Sequence, residues 1–175
     1  MAISNAGAPL GVVAPSHGLI LIGKLDAIKD IKAPTLAELQ AETMIDFTYT
    51  IKTFDRKSTQ EFIEDERWTL AQPLKYPGMK STEISINYAF SNDRTDEVAK
   101  LDEFLVENEQ YVMVVRSAIA KEEPLKADQL VDVIPFTCGA KIKDAPTNNA
   151  VWTKTVQLGA GDIQDDVKIV AGAAA

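Results

Sequence analysis

Alternation of apolar and polar residues is the clearest pattern in this chain. It is most regular over residues 83–90, where the apolar positions are Ile84, Ile86, Tyr88 and Phe90. Because successive side chains of a strand lie on opposite faces, this period of two predicts a strand with one buried face. The same period over residues 44–54 predicts a second such strand. Its apolar positions are Ile45, Phe47, Tyr49 and Ile51.

Apolar runs predict the remaining strands, which cover residues 19–24, 111–116, 130–142, 149–158 and 167–171. Residues 59–70 lack strict alternation, which predicts an extended segment with an irregularity. One face of the segment 130–142 carries Ile134, Phe136, Cys138, Ala140 and Ile142. Cys138 is therefore predicted to be a small core residue.

Two helices and a turn are predicted between the strands. Thr35 and Glu38 have the spacing of a capping box, which predicts a short helix after Thr35. Apolar residues recur every three to four positions over residues 95–108, which predicts the only substantial helix. The pair Pro77-Gly78 predicts a turn over residues 75–79. Together these elements predict a mainly β fold, a β-sandwich or open barrel with one packed α-helix.

The two ends of the chain differ from its middle. Residues 1–18 are small, contain Gly and Pro, and show no period, so we expect an extended N-terminal arm. Residues 172–175 form a similarly featureless C-terminal tail. The segment 19–171 is expected to fold as a single domain, since domains commonly have about 100 to 200 residues.

Acidic residues outnumber basic ones, 26 to 18, which gives a formal net charge of −8. Lys and Arg contacts to phosphate dominate nucleic-acid affinity, so ordinary nucleic-acid binding is disfavoured. The charge is compatible with DNA passing nearby without adhering. The chain shows neither a secretory signal nor an apolar run of the ~20 residues that span a bilayer. We therefore expect a protein that is made and kept in the cytoplasm without a membrane anchor.

Few residues suit catalysis or metal binding. His17 is the only histidine and Cys138 the only cysteine, so one subunit cannot build a Ser-His-Asp triad or a histidine metal cluster. Phosphate-binding glycine motifs are also missing from the sequence. We expect no enzymatic activity, no cofactor and no metal, although abundant carboxylates leave a paired-carboxylate hydrolase open.

The densest acidic cluster comprises Glu61, Glu64, Asp65 and Glu66. Its simplest interpretation is a solvated strand edge or loop. The alternatives are an acidic surface facing DNA and, less readily, a catalytic or calcium site. Trp68 and Trp152 are interpreted as core or interface anchors, because no basic residues alternate with them as in a base-stacking platform.

Residues 31–46, IKAPTLAELQAETMID, resemble a segment near the start of tail tube proteins from siphophages that infect actinobacteria. The elements that follow also resemble that family in order, and residues 132–136, DVIPF, resemble its Asp-Val-x-Pro-Phe pattern. The resemblance covers residues 19–171. The chain departs from the family in having Gln-Ala-Glu at residues 40–42, where Asn-Ala-Gly is frequent, and in its longer predicted helix.

The resemblance implies a structural virion protein. Its copies would join edge to edge into hexameric rings, and the rings would stack into the tail tube through which DNA passes to the host. The implied partners are further copies of the chain, the tape measure protein and DNA in the lumen without specific binding, and the tail terminator and tail tip proteins. No membrane is implied. The protein would reside in the virion tail after assembly in the host cytoplasm.

Candidate residues follow from this resemblance and from the predicted strands. Polar strand faces provide the candidates for the lumen, which are Glu61, Asp65, Glu83 and Asn87. Apolar residues of the arm and the two tryptophans provide the candidates for assembly contacts, which are Pro9, Leu10, Val12, Val13, Pro15, Trp68 and Trp152.

Two other structural roles suit the same architecture. One is a tube subunit of a contractile injection or type VI secretion system. The other is a small β-sandwich binding or decoration module, which would remain a monomer or a small closed oligomer.

Overall fold

The computed structural model describes residues 12, 14, 16–69, 71–146 and 148–172. These residues form two short helices, α1 (Leu36–Leu39) and α2 (Ala99–Phe104), and a 3₁₀ turn at Leu25–Ala27. They also form eight strands: β1 (Gly18–Lys24), β2 (Met44–Asp46), β3 (Ile51–Asp65), β4 (Leu74–Ala89), β5 (Gln110–Ser117), β6 (Leu130–Lys143), β7 (Thr153–Ala160) and β8 (Gln164–Lys168). The prediction of a mainly β fold is confirmed.

The strands form one antiparallel sheet in the order β2-β1-β5-β6-β7-β4-β3. β8 pairs with the first residues of β6, while β7 pairs with the later ones. The two ends of this order are β2, which has 3 residues, and β3, which has 15. The sheet therefore has one short and one long edge.

Both faces of β5 are buried. Tyr111, Met113 and Val115 belong to one hydrophobic cluster. This cluster also contains Leu101 of α2 and Leu105, the residue that follows α2. Val112 and Val114 belong to a second cluster on the opposite face, which is covered by α1, β2 and residues near the C-terminal end of the described chain. A strand that is buried on both faces has a continuous run of apolar residues. This explains why apolar and polar residues do not alternate over residues 111–116.

The capping box is confirmed. The Glu38 N–H donates to Thr35 Oγ1 at 3.3 Å, and the Thr35 N–H donates to the Glu38 carboxylate at 3.0 Å. These two bonds satisfy backbone donors that a helix start leaves free, so α1 begins directly after Thr35. None of the helices in the described part of the chain is long and apolar enough to cross a membrane.

The prediction of one continuous strand over residues 44–54 is wrong, because residues 47–50 form a turn between β2 and β3. β2 ends at Asp46, whose carboxylate accepts hydrogen bonds from the Thr48 N–H at 2.9 Å and the Thr48 hydroxyl at 2.6 Å. This side-chain turn reverses the chain before β3. Phe47 is buried as predicted, but Ile45 and Tyr49 are exposed.

The predicted turn at Pro77-Gly78 is also wrong, because both residues lie inside β4. The pairing shifts between Gln60 and Phe62 of β3, whose partners are Lys80 and Pro77, so β4 contains one extra residue. Gly78 and Met79 form this β-bulge opposite Glu61, directly after the paired Pro77, and the chain reverses instead between Asp65 and Leu74. The irregularity predicted in residues 59–70 is confirmed by the same bulge.

The helix predicted over residues 95–108 is shorter than expected. α2 ends at Phe104 because the Tyr111 hydroxyl donates to the Phe104 carbonyl and accepts from the Val106 N–H, both at 2.8 Å. A backbone held by a side chain in this way cannot continue the helical hydrogen bonds. Before α2, turns at Asp93 and Asp96 replace the predicted first helical residues.

Cys138 is buried, which confirms its predicted place in the core. Ala140 and Ile142 do not share its face as predicted, because the pairing of β6 with β7 shifts between Cys138 and Lys141. Both residues are exposed. The strand predicted at 149–158 begins later, at Thr153, and the last strand ends at Lys168 rather than at residue 171.

Candidate assembly surfaces

β3 and β4 extend beyond the rest of the sheet. β3 pairs with β4 from Ile51 to Asp65, but β7 pairs with β4 only over residues 84–89. Residues 58–65 and 74–82, with the connection 66–73, therefore form a two-stranded hairpin that we call the projecting ribbon. From Leu74 to Thr82 it is about 26 Å long, at ~3.3 Å per residue.

The projecting ribbon is unusually apolar for a solvated hairpin. Its exposed large apolar side chains are Phe62, Ile63, Trp68, Leu74, Tyr76 and Met79. Trp68 lies in the connection and is fully exposed. A two-stranded hairpin is only marginally stable in water, and contiguous exposed apolar surface marks an interaction site. The structure thus places Trp68 on a surface suited to a partner.

Glu61, Asp65, Glu83 and Asn87 lie on one face of the β3–β4 pair. Ile84, Ile86 and Tyr88 are buried in the core, so the alternating residues of β4 face the other way. The extra residue of the bulge lies in β4, so β3 keeps its alternation from Thr53 to Asp65, which also places the exposed Ile63 on this face. The predicted lumen candidates therefore share one face, which is also polar in β7.

Charges on this polar face are mixed. Glu83 lies directly across from Lys57, and the Asp65 carboxylate accepts from the Arg67 guanidinium at 2.8 Å. A shallow groove of about 570 Å³ follows the face, with walls that include Asp55 and Gln157. Acidic groups are thus interspersed with hydroxyl, amide and lysine groups.

Asn87 belongs to a hydrogen-bond network that the sequence pattern did not indicate. Its amide donates to Asp144 at 2.7 Å and to the Thr155 hydroxyl at 3.0 Å. Asp144 also accepts from the hydroxyls of Thr153 at 2.7 Å and Thr155 at 2.9 Å. The bond from Thr153 is the main cause that lowers the pKa of Asp144. This carboxylate therefore holds its negative charge in a fixed position on the polar face.

A second exposed apolar group lies at the opposite end of the sheet. It comprises Ile142, Val151 and Trp152, around the connection between β6 and β7, and we call it the end patch. β4 runs from the ribbon tip towards this end, because its last residue, Ala89, pairs with Thr153. The two apolar surfaces of one molecule are therefore far apart and cannot cover each other.

Lysines flank the end patch. Lys143 and Lys154 pair across β6 and β7 next to it, and Lys52 is the second residue of β3. Carboxylates predominate at the ribbon tip, where Glu64 and Glu66 lie beside Asp65. The strand ends thus differ in charge, although the loop after β4 adds Asp93 and Asp96 near the end patch.

The arm candidates are only partly covered by the structure. Val12 is described and is exposed. Pro9, Leu10, Val13 and Pro15 lie outside the described residues.

The described residues offer little for chemistry. They contain no group of three or more His, Cys, Asp or Glu side chains that could hold a metal ion. Burial raises the pKa of the Cys138 thiol, which disfavours the reactive thiolate.

Solved structures of similar fold come from tubular assemblies. A chain of the SPP1 tail tube superimposes with a TM-score of 0.60 at 12% identity, over 90% of this chain and 80% of that chain. A chain of the PVC extracellular contractile injection system, from its sheath-tube complex in the extended state, gives a TM-score of 0.55 at 11% identity, over 93% and 97%. At such identities the likeness establishes the shared fold. No curated protein sequence matches the chain.

The family of the chain follows from its sequence. The model of the phage tail tube protein family matches residues 13–173, which is nearly the whole length. The match includes the projecting ribbon, the polar face and the end patch. This chain therefore belongs to the phage tail tube protein family.

Proposed function

We propose that the chain is the tail tube subunit of a siphophage, forming hexameric rings that stack into a conduit for DNA. The observation that carries the proposal is the projecting ribbon, a long hairpin with exposed apolar residues and no third strand among the described residues to support it. Such an element gains its stability from another molecule. The family match and the free sheet edges support the same conclusion.

Ring formation would use the sheet edges. The outer edge of β3 presents a row of backbone donors and acceptors that no described strand of the same molecule pairs. An unpaired edge is a template for another chain. An interface between different surfaces of identical subunits closes into a ring when its rotation allows.

Stacking would join opposite ends of successive molecules. The ribbon tip with Trp68 and the end patch with Trp152 are both apolar and lie at opposite ends of the sheet. A contact between two different surfaces repeats without limit along an axis, which is what a tube requires. The N-terminal arm, residues 1–18, would add contacts to neighbouring copies, with 19–171 as the tube domain and 172–175 as the tail.

The polar face of β3 and β4 would line the lumen. Six copies at −8 each give a ring charge of about −48 before counterions. Glu61, Asp65, Glu83 and Asn87 would contribute to a surface that DNA and the tape measure protein traverse without specific binding. Terminator and tip proteins would close the ends of the tube. In this role the protein has no catalytic activity, and it resides in the virion tail after assembly in the host cytoplasm.

Imaging of the purified protein tests the proposal. We expect hollow tubes or rings in negative-stain micrographs, and rapidly sedimenting species that increase with concentration. Ile63→Ser on the ribbon should weaken assembly at least tenfold, because it removes exposed apolar area from the contact. Val106→Ser, at an exposed valine beyond α2, is the matched control and should assemble normally. A protein that stays monomeric at millimolar concentration contradicts the proposal.

A tube subunit of a contractile injection system is the second candidate. The similar fold of the PVC chain favours it. A sheath gene beside the coding sequence would support this alternative, whereas a gene for a long tape measure protein supports the siphophage tail.

A further inference from the structure

The projecting ribbon leaves the body of the molecule at a fork. Ile84 of β4 pairs with Leu158 of β7 on one side and with Arg56 of β3 on the other. Beyond this level β7 continues towards Ala160 and leads into β8 on β6, while β3 and β4 continue as the ribbon. A groove of about 520 Å³ separates the two branches, and Lys80, Gly161 and Ile163 are among its lining residues.

Four charged side chains bridge this fork. Arg56 Nη2 lies 2.7 Å from the Asp165 carboxylate on β8, and Arg56 Nη1 lies 3.6 Å from Asp132 on β6. Lys80, which is farther out on the ribbon, lies 3.7 Å from the same Asp165. Asp165 therefore contacts β3 at the base of the ribbon through Arg56, and β4 within the ribbon through Lys80. We call Arg56, Lys80, Asp132 and Asp165 the fork cluster.

The backbone next to Asp165 is shaped for this arrangement. Asp166 has a φ of 53°, in the left-handed region that non-glycine residues rarely adopt. Its N–H donates to Asp132 Oδ1 at 2.9 Å, so Asp132 links the strained residue to Arg56. The pairing of β8 with β6 is irregular at the same place. Local strain of this kind is retained where the surrounding structure holds it in place.

We infer that the fork cluster fixes the direction in which the projecting ribbon leaves the body, and that this fixed direction is needed for tube assembly. The inference rests on the proposed function for its second part only. Arg56 and Asp132 are mostly buried, so their interaction is less screened than that of a surface pair. A ribbon already held in its bound direction loses less conformational entropy when a second copy binds it. Arg56 and Asp165 thus act as positioning residues for the apolar contact.

Hydrogen exchange of the monomer tests the first part without any assembly. Arg56→Gln should make the amides of residues 58–65 and 74–82 exchange about tenfold faster, while those of β5 and β6 keep their protection. Arg94→Gln is the matched control, because Arg94 pairs with Glu103 on the surface beside α2. Equal ribbon exchange in the two variants overturns the inference.

A second variant covers the case in which Arg56→Gln unfolds the whole domain. Asp165→Asn leaves Arg56 paired with Asp132 but removes the bridge to the ribbon, so it should increase ribbon exchange alone. Unchanged ribbon exchange in a folded Asp165→Asn variant overturns the inference. Arg56→Lys, which keeps the charge, should restore part of the protection.

Assembly kinetics test the second part. We expect Arg56→Gln and Asp165→Asn to form tubes at least tenfold more slowly than the wild type, and Arg94→Gln to form them at the wild-type rate. Faster ribbon exchange with an unchanged assembly rate overturns the link to assembly. If the wild type forms no tubes, the proposed function fails, and the exchange result still decides whether the cluster holds the ribbon.

Discussion

Arg116 shows how a single charged residue is accommodated inside this domain. It is fully buried at the end of β5, and its guanidinium donates to the carbonyls of Glu123 at 2.8 Å and Ala120 at 2.9 Å. Burial lowers the pKa of Arg116, but the group stays charged at neutral pH. The side chain thereby closes the loop that follows β5.

Replacing Arg116 should destabilise the fold strongly. Arg116→Ala leaves buried carbonyls without donors and opens a cavity, so we expect the free energy of unfolding to fall by about 3 kcal/mol. Urea denaturation measures this change. Arg94→Ala, at an exposed arginine, should cost less than about 0.5 kcal/mol. Equal costs for the two variants would show that the buried hydrogen bonds of Arg116 contribute little.

Asp102 of α2 is the centre of a polar network between this helix and the sheet. Burial raises the pKa of Asp102, but hydrogen bonds from Lys154 at 2.6 Å and Tyr88 at 2.8 Å, together with Lys141, bring it below the ordinary value. Because the folded protein favours the ionised carboxylate, the resulting stability is present above the unfolded pKa of about 3.9 and is lost as the pH falls through the lower folded pKa.

The pH dependence of stability tests this network. We expect Asp102→Asn to be less stable than the wild type at pH 7, and the difference to shrink as the pH falls below about 4. Thermal unfolding across this range measures it. Glu97→Gln is a control, because Glu97 is an exposed partner of Lys100. A constant difference between Asp102→Asn and wild type at every pH contradicts the assigned role of the ionised carboxylate.

At the scale of elements, bulges determine where strand faces change. Gly139 lies in the irregular part of β6, and a Cβ atom there would come within 2.4 Å of the Gln157 carbonyl oxygen. Gly139→Ala should therefore destabilise the domain by about 2 kcal/mol, measured by urea denaturation. Gly159→Ala is the matched control, because its Cβ would lie 3.6 Å from the nearest atom. Comparable losses in both variants would show that the close approach is unimportant.

The predicted elements succeeded where local signals act alone. The capping box of Thr35 and Glu38, the core position of Cys138 and the strand of residues 83–90 follow from spacing and periodicity. The errors arose where tertiary contacts overrode these signals. The Asp46 side chain forms a turn within an alternating segment, Gly78 lies in a bulge of β4 instead of a turn, and the Tyr111 hydroxyl ends α2 early.

The candidate site was only partly predictable for the same reason. Alternation put Glu83 and Asn87 on a polar face, and the structure adds that Glu61 and Asp65 share it. The contacts of Asn87 with Asp144, and of Arg56 with Asp165, join residues 57 and 109 positions apart. Local periodicity carries no information on such pairs.

At the scale of the whole molecule, the domain is well packed but leaves three surfaces without partners among the described residues. These are the outer edge of β3, the projecting ribbon and the end patch. Each is a liability for a monomer, since exposed edges and apolar patches promote association. In the proposed tube all three would be covered by other copies, and the net charge of −8 per subunit would limit adhesion of DNA.

A cryo-EM reconstruction of the assembled protein would show directly whether its copies form a tube and which face lines the channel. We expect a hollow tube of six-subunit rings, with projecting ribbons between successive rings and Glu61, Asp65, Glu83 and Asn87 on the wall of the channel. A closed small oligomer with solvated ribbons, or a tube with these four residues on its outer surface, would contradict it.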